Sequence, residues 1–231
     1  MNNTIRINNQ AIADYVMFKL NKLDNEFNEE ELLLIDELLI NFNNDINDYL
    51  RDLSLFKNIK SLTFRNGFIY NDVFLVLREL EKLISITFDN CEFEEEKIVA
   101  SLNLKELTLI NCRINSYAFV YIMNHLDTLS IINGEVEIKK INLLTNLKHL
   151  EITNSNILDK EEIRINNLQE LYIDNTNINN LDFLNNLIKL KKVSIDNHQY
   201  EENRKLVNEL MKKGISFYEE AISPIVGDDR E

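Results

Sequence analysis

The sequence predicts a solenoid of short repeats, and three observations lead there. An apolar pattern returns seven times at nearly constant spacing. Gly and Pro are scarce, at 4 and 1, so turns must be made by another residue. Asn, which tolerates the left-handed backbone region, is abundant enough to make them. With 45% hydrophobic residues in 231, the chain has ample material for a core and is not a disordered one.

The pattern is apolar at positions 1, 4 and 6, small at 9 and apolar again at 11. It begins at Ile59 (Leu62, Phe64, Gly67, Ile69) and at Leu83 (Ile86, Phe88, Cys91, Phe93). It continues from Leu104 (Leu107, Leu109, Cys112, Ile114) and from Leu126 (Leu129, Ile131, Gly134, Val136). The last three start at Leu147 (Leu150, Ile152, Ser155, Ile157), Leu168 (Leu171, Ile173, Thr176, Ile178) and Leu190 (Val193, Ile195, His198, Tyr200). A fixed period of 20 to 50 residues is the mark of a repeat array.

These segments resemble leucine-rich repeats, whose general form is L-x-x-L-x-L-x-x-N/C-x-L. Leu104-Lys105-Glu106-Leu107-Thr108-Leu109-Ile110-Asn111-Cys112-Arg113-Ile114 carries that form best. Asn177 to Leu190, with Ile178, Leu181, Leu184 and Leu187, resembles the bacterial and SDS22-like short-repeat type. The resemblance implies an α/β solenoid with helical N- and C-caps. Its parallel sheet would curve along the concave face, with helices, 3₁₀ turns and extended segments on the convex face. It specifies fold strongly and function weakly.

One departure has a physical reading. The family usually places Asn at position 9, but here that slot holds Gly67, Cys91, Cys112, Gly134, Ser155, Thr176 and His198. Asn stands instead at position 8 in all seven repeats: Asn66, Asn90, Asn111, Asn133, Asn154, Asn175 and Asn197. Such a column is structural: each Asn ends a strand, capping backbone groups or allowing a left-handed turn. Cys91 and Cys112, on adjacent repeats, are expected as buried thiols in the core. His198 is expected in a core-side slot.

Residues 1–58 read as a helical N-terminal cap with a degenerate first repeat. Ala11 to Leu23 has helical periodicity, Glu29-Glu30-Glu31 suits a helix start, and Ile35 to Ile40 lies 24 residues ahead of Ile59. Asp45 to Phe56 would then be a return helix. Residues 59–200 are the seven repeats, 201–222 a capping helix and strand, and 223–231 a flexible acidic tail. Between repeats, Asp72 to Leu83 and Ser116 to Leu126 read as amphipathic helices with Asp72 and Ser116 as N-caps. Glu135 to Leu144 and Leu158 to Leu168 lack a helical face and are expected to be extended or 3₁₀. Glu201 to Lys213 is a helix closed by Gly214, and Ile215 to Tyr218 a short strand.

Positions 3, 5 and 7 point out of the sheet. The first four repeats offer mostly Ser and Thr there, around the exposed apolar pair Ile110 and Ile132. The later ones gather Glu151, Glu170, Asp174 and Asp196 around Tyr172 and His149. All eight of these residues are candidates for contact with a partner protein, with Tyr172 as the anchor. The leading function is a non-catalytic protein-interaction module binding on the concave face. The alternative is an inhibitor or immunity-type protein that neutralises a basic effector through the acidic half.

Other classes fit poorly. His149, Glu151 and Glu170 are only a crude acid–base or metal constellation. No nucleophile elbow, P-loop, H-E-x-x-H or paired C-x-x-C is present, so no catalytic residue, metal ligand or cofactor is predicted. A formal charge of -14 and a pI near 4.7 argue against nucleic acid and anionic membranes. Outward cations such as Lys60, Arg65 and Lys192 are scattered. The first residues lack the pattern of a signal peptide, and two cysteines suit a reducing compartment, which predicts a cytoplasmic protein. A monomer is expected rather than a homodimer. Richness in Asn, Ile and Lys suggests an AT-rich microbial or phage genome.

Overall fold

The computed structural model describes residues 4–42, 49–94, 102–112, 123 and 125–219. The chain divides into two compact units, Met1–Gly134 and Glu135–Glu231.

In the first unit, helix α1 (Gln10–Leu20) starts where Asn9 accepts from Ile12 N and stops at Asn21, which has a φ of 53°. It buries Ile12, Ala13 and Val16 and packs against strand β1 (Glu37–Asn41). The single turn α2 (Glu29–Leu32) is held by a capping box between Asn28 and Glu31. Buried Asp52, on α3 (Tyr49–Leu53), fastens the segment ahead of α1 by accepting from Asn8 Nδ2 at 3.0 Å and Asn9 N at 2.6 Å.

Strands β1, β2 (Ser61–Arg65), β4 (Ser85–Asp89), β6 (Glu106–Ile110) and β7 (Thr128–Ile132) follow one another in parallel. Their register aligns Leu38, Leu62, Ile86, Leu107 and Leu129 in one inward row. Ile40, Phe64, Phe88, Leu109 and Ile131 form the second. Both rows are buried, as the strand period of two requires of positions 4 and 6. Ahead of each strand one carbonyl accepts two successive amides of the next rung. Lys60 O takes Ile84 N at 2.9 Å and Ser85 N at 3.0 Å; Ile84 O takes Lys105 N at 2.8 Å and Glu106 N at 3.0 Å. Positions 10 and 11 form a second, two-residue ladder between β3 (Phe68–Ile69) and β5 (Glu92–Phe93). The return helix α4 (Asn71–Arg78) buries Val73, Phe74 and Leu77. Its N-cap is Tyr70 and not the expected Asp72; the amide of Asn71 is satisfied instead by Glu94 Oε2 at 2.9 Å.

In the second unit, β9 (His149–Thr153), β11 (Glu170–Tyr172), β12 (Lys192–Ile195) and β13 (Ser216–Glu219) pair in parallel, aligning Leu150, Leu171, Val193 and Phe217. Strands β8 (Glu135–Val136) and β10 (Asn156–Ile157) form the short second ladder. Glu135 to Leu144, expected to be extended or 3₁₀, holds one α-helical turn, Ile138–Ile141, whose burial of Ile138 and Ile141 outweighs its weak helical pattern. Leu158 to Leu168 has no regular structure. Asn142 stitches it in place, donating to Glu162 O at 2.8 Å and accepting from Arg164 N at 2.8 Å. Asp182–Asn186 is a 3₁₀ turn. The C-terminal helix runs Asn197–Lys212, four residues earlier than expected at its start. The expected helix Ser116 to Leu126, apart from 123, 125 and 126, and the expected tail 223–231 lie outside the described residues.

Candidate functional site

The asparagine column is backbone machinery. Asn66, Asn90, Asn111, Asn133, Asn154 and Asn175 all have φ between 51° and 57°, the left-handed region that Asn enters at low cost. Each turns the chain sharply off its strand. In the first unit the side chains then link rung to rung: Asn66 Nδ2 donates to Asn41 Oδ1 at 2.9 Å, Asn90 to Asn66 at 2.8 Å, and Asn133 to Asn111 at 2.7 Å. In the second unit Asn175 donates to Asn154 at 3.1 Å.

Asn197 departs from the column. It is the first residue of the C-terminal helix, because Asp196 and Gln199 form a capping box there and the chain goes on as a helix. His198 is therefore exposed, not core-side, and lies 3.6 Å from Glu202. Gln199 fills the interior place, its Nε2 within 3.2 Å of Ile173 O, Thr176 Oγ1 and Ile178 O.

The small-residue column is internal too. Cys91 Sγ lies 3.5 Å from Phe64 O and from Asp89 O; Cys112 Sγ lies 3.3 Å from Phe88 O and from Ile110 O. Ser155 Oγ donates to Thr153 O at 2.8 Å in the same way. Burial pushes both thiols up, Cys112 to about 12, so neither is a nucleophile at neutral pH.

On the sheet face of the first unit, Ile110 and Ile132 are register partners and half-buried. Thr108 and Ser130 pair beside them, and Thr63 pairs with Thr87. Arg65 and Asp89 form an ion pair at 3.1 Å.

On the sheet face of the second unit, Glu170 is a hub. It accepts from the Tyr172 hydroxyl at 3.1 Å, lies 3.3 Å from His149 Nδ1 and 3.6 Å from Lys192 Nζ. The His149 and Tyr172 rings approach to 4.9 Å between centroids. Burial would raise the Glu170 carboxyl, but the Tyr172 hydroxyl, Lys192 and His149 together outweigh it and hold it below the usual carboxylate range. Burial first, and then the Glu170 carboxylate, push the Tyr172 hydroxyl up. Glu151 is half-exposed and faces Tyr172 across the register.

The acidic patch expected from the sequence does not assemble as such. Asp174 is only 4% exposed: β11 stops at Tyr172, and the Asp174 carboxylate accepts from Ser194 Oγ at 2.9 Å. Asp196 spends its carboxylate on Gln199 N and on Asn175 N, both at 2.9 Å. It stands in for the strand carbonyl that serves earlier rungs, as when Asn154 N donates to Asp174 O. Asp196→Ala is expected to cost about 1–2 kcal/mol, read from thermal or urea unfolding, while Asp196→Asn keeps most of that. A loss below about 0.3 kcal/mol for the alanine variant would rule the capping role out. Sequence reasoning missed Lys192 as a site member and Tyr218, whose ring lies 5.7 Å from Lys192 Nζ. Extending the register one rung past the last repeat finds Tyr218 opposite Ser194.

Among the described residues no group of three or more His, Cys, Asp or Glu side chains is arranged to hold a metal ion. No helix among them is long and apolar enough to cross a membrane.

No protein-family model matches the sequence, and no curated protein sequence does. Solved structures do match. Internalin C2 from Listeria monocytogenes is 19% identical over 83% of this chain and 97% of its own, with a TM-score of 0.55. InlP from Listeria monocytogenes is 15% identical over 82% of this chain, with a TM-score of 0.54. The match covers 64% of InlP, so this chain spans less than two thirds of that protein. At these identities the likeness shows the fold alone. The fold is an α/β leucine-rich repeat solenoid, a type of scaffold whose stacked strands present extended binding surfaces.

Proposed function

We propose that the protein is a non-catalytic interaction module that binds a partner protein on the solvent face of its sheet, acting in the cytoplasm as a monomer. The observation that carries this is the Ile110–Ile132 pair. Two large apolar side chains stand side by side at outward strand positions, half-buried, on a floor of short hydroxyls. The inward rows are complete without them, so they do not serve the core. A flat apolar spot rimmed by groups that can hydrogen-bond is the composition of an interface centre.

The test is affinity purification with the wild-type chain and with Ile110→Glu plus Ile132→Glu. The partner recovered by the wild type is expected to be lost from the variant, whose melting temperature stays within a few degrees. Equal recovery by both would overturn the reading.

The formal charge of -14 favours a second reading, inhibition of a basic effector. Glu151 and Glu170 are the carboxylates on the second unit's face that support it. A partner whose affinity collapses between low and physiological salt would favour the inhibitor; salt-insensitive binding through Ile110 and Ile132 favours the general module.

A further inference from the structure

We propose that the second unit carries a separate docking site of opposite sign, a lysine patch on the rim ahead of β12 and β13 that binds an acidic segment of a partner protein. It goes beyond the sheet-face reading and does not depend on it.

The rungs of this unit enter their strands by the same turn. Leu168 N donates to Ile165 O at 3.1 Å, Leu190 N to Leu187 O at 3.0 Å, and Gly214 N to Met211 O at 3.0 Å. Carried back three and four residues from the pairing of Lys192 with Ser216, the shared turn sets Lys213 at the position equivalent to Lys189 and Lys212 at that of Ile188 on the adjoining rung. Adjacent strands lie about 4.8 Å apart. Four lysines, Lys189, Lys191, Lys212 and Lys213, therefore share the rim of two rungs, with Lys192 of the Glu170 cluster next to them inside β12, in a chain whose formal charge is -14.

Their charge is poorly compensated. Lys192 pairs with Glu170 at 3.6 Å. The other four are exposed, and among the described residues none is ion-paired. Lys189 Nζ donates to Asn167 Oδ1 at 2.6 Å and Lys191 Nζ to Gln169 Oε1 at 3.1 Å. These neutral acceptors hold two ammonium groups toward the preceding rung and leave their charge intact. Grouped like charges repel one another, and an anion seated among them relieves that repulsion.

Two exposed apolar side chains stand within the same rungs: Ile188 is 82% exposed and Met211 50%. A partner that covers both needs carboxylates with an apolar side chain between them, which is the make-up of an acidic protein segment. A long polyanion or an extended anionic surface would also meet the repulsion of the chain's net charge. A short segment feels mainly the patch, because screening acts within about 8–10 Å in physiological salt.

The test uses the full chain and a dye-labelled peptide of alternating Glu and Leu residues, read by fluorescence anisotropy. The wild type is expected to bind with an affinity that falls about tenfold from 50 to 300 mM salt. Lys189→Glu plus Lys213→Glu lowers the affinity at least about tenfold with the melting temperature kept within a few degrees, and Ile188→Ser lowers it severalfold. No binding by the wild type, or equal binding by the double variant, would overturn the proposal. So would tighter binding of phosphatidylserine vesicles or of a single-stranded RNA oligomer at the same salt.

Discussion

Phe88→Ala is expected to lower the unfolding free energy by about 3–5 kcal/mol, the range for deleting a buried aromatic ring. Phe88 is fully buried. Its ring stacks on Phe64 at 5.3 Å between centroids with 11° between planes, meets Phe93 edge-on at 5.0 Å and lies 6.3 Å from Phe74. Phe64 in turn stacks on Phe42 at 5.9 Å. The ring thus joins two strands, the return helix α4 and the second ladder. The rungs on either side are held by their own hydrogen bonds and cannot collapse into the space it leaves. Urea unfolding checks this, as a fall in midpoint with the slope preserved. Phe88→Leu, which matches Leu109 on the next rung, is expected to cost much less. An alanine variant that lost under about 1 kcal/mol would mean the site collapses freely, against this packing.

Gly67→Ala is expected to cost about 1–3 kcal/mol by overpacking. A Cβ added there would stand 2.0 Å from Phe42 Cδ2, 2.4 Å from its Cγ and 2.7 Å from its Cε2. Because Cγ itself is too close, a simple ring flip gives no relief, and the stacked Phe64 blocks the ring on one face. The check is a double-mutant cycle with Phe42→Ala. In that background the glycine substitution should cost under about 0.5 kcal/mol, and an undiminished cost would assign the effect to the backbone instead.

Gly67 also marks the boundary of what the sequence conveys. The repeat pattern predicts the left-handed turn at Asn66 and marks Gly67 only as the small residue of position 9. In the fold Asn66 takes φ of 57°, while Gly67 is absent from the residues with positive φ. Glycine is there for room, and the need for room comes from a ring 25 residues earlier. The end of the asparagine column is similar. Asn197 keeps the spacing of the other six, but Asp196 and Gln199 settle locally on a helix cap, and that reciprocal pair outweighs one residue's place in a repeat.

The candidate site divides in the same way. That His149, Glu170 and Tyr172 come together was legible, since they occupy outward positions of neighbouring rungs. Their state was not. Asp174 looked like a surface carboxylate because its position number is odd, and a strand two residues short took it out of solvent. The repeat pattern does not single out the lysines of the rim, because 24 residues separate Lys189 from Lys213 along the chain.

By itself the sequence determined the repeat period, the inward rows, the left-handed asparagines at six rungs and the burial of both thiols. All of these follow from residue type and spacing within one repeat, where a period of two along a strand and the low cost of a left-handed Asn act locally. Only the tertiary structure decided which carboxylates are taken up by hydrogen bonds and where the last repeat gives way to a helix. Those depend on hydrogen bonds and charges between rungs 20 or more residues apart, and a spacing rule carries no distance between side chains.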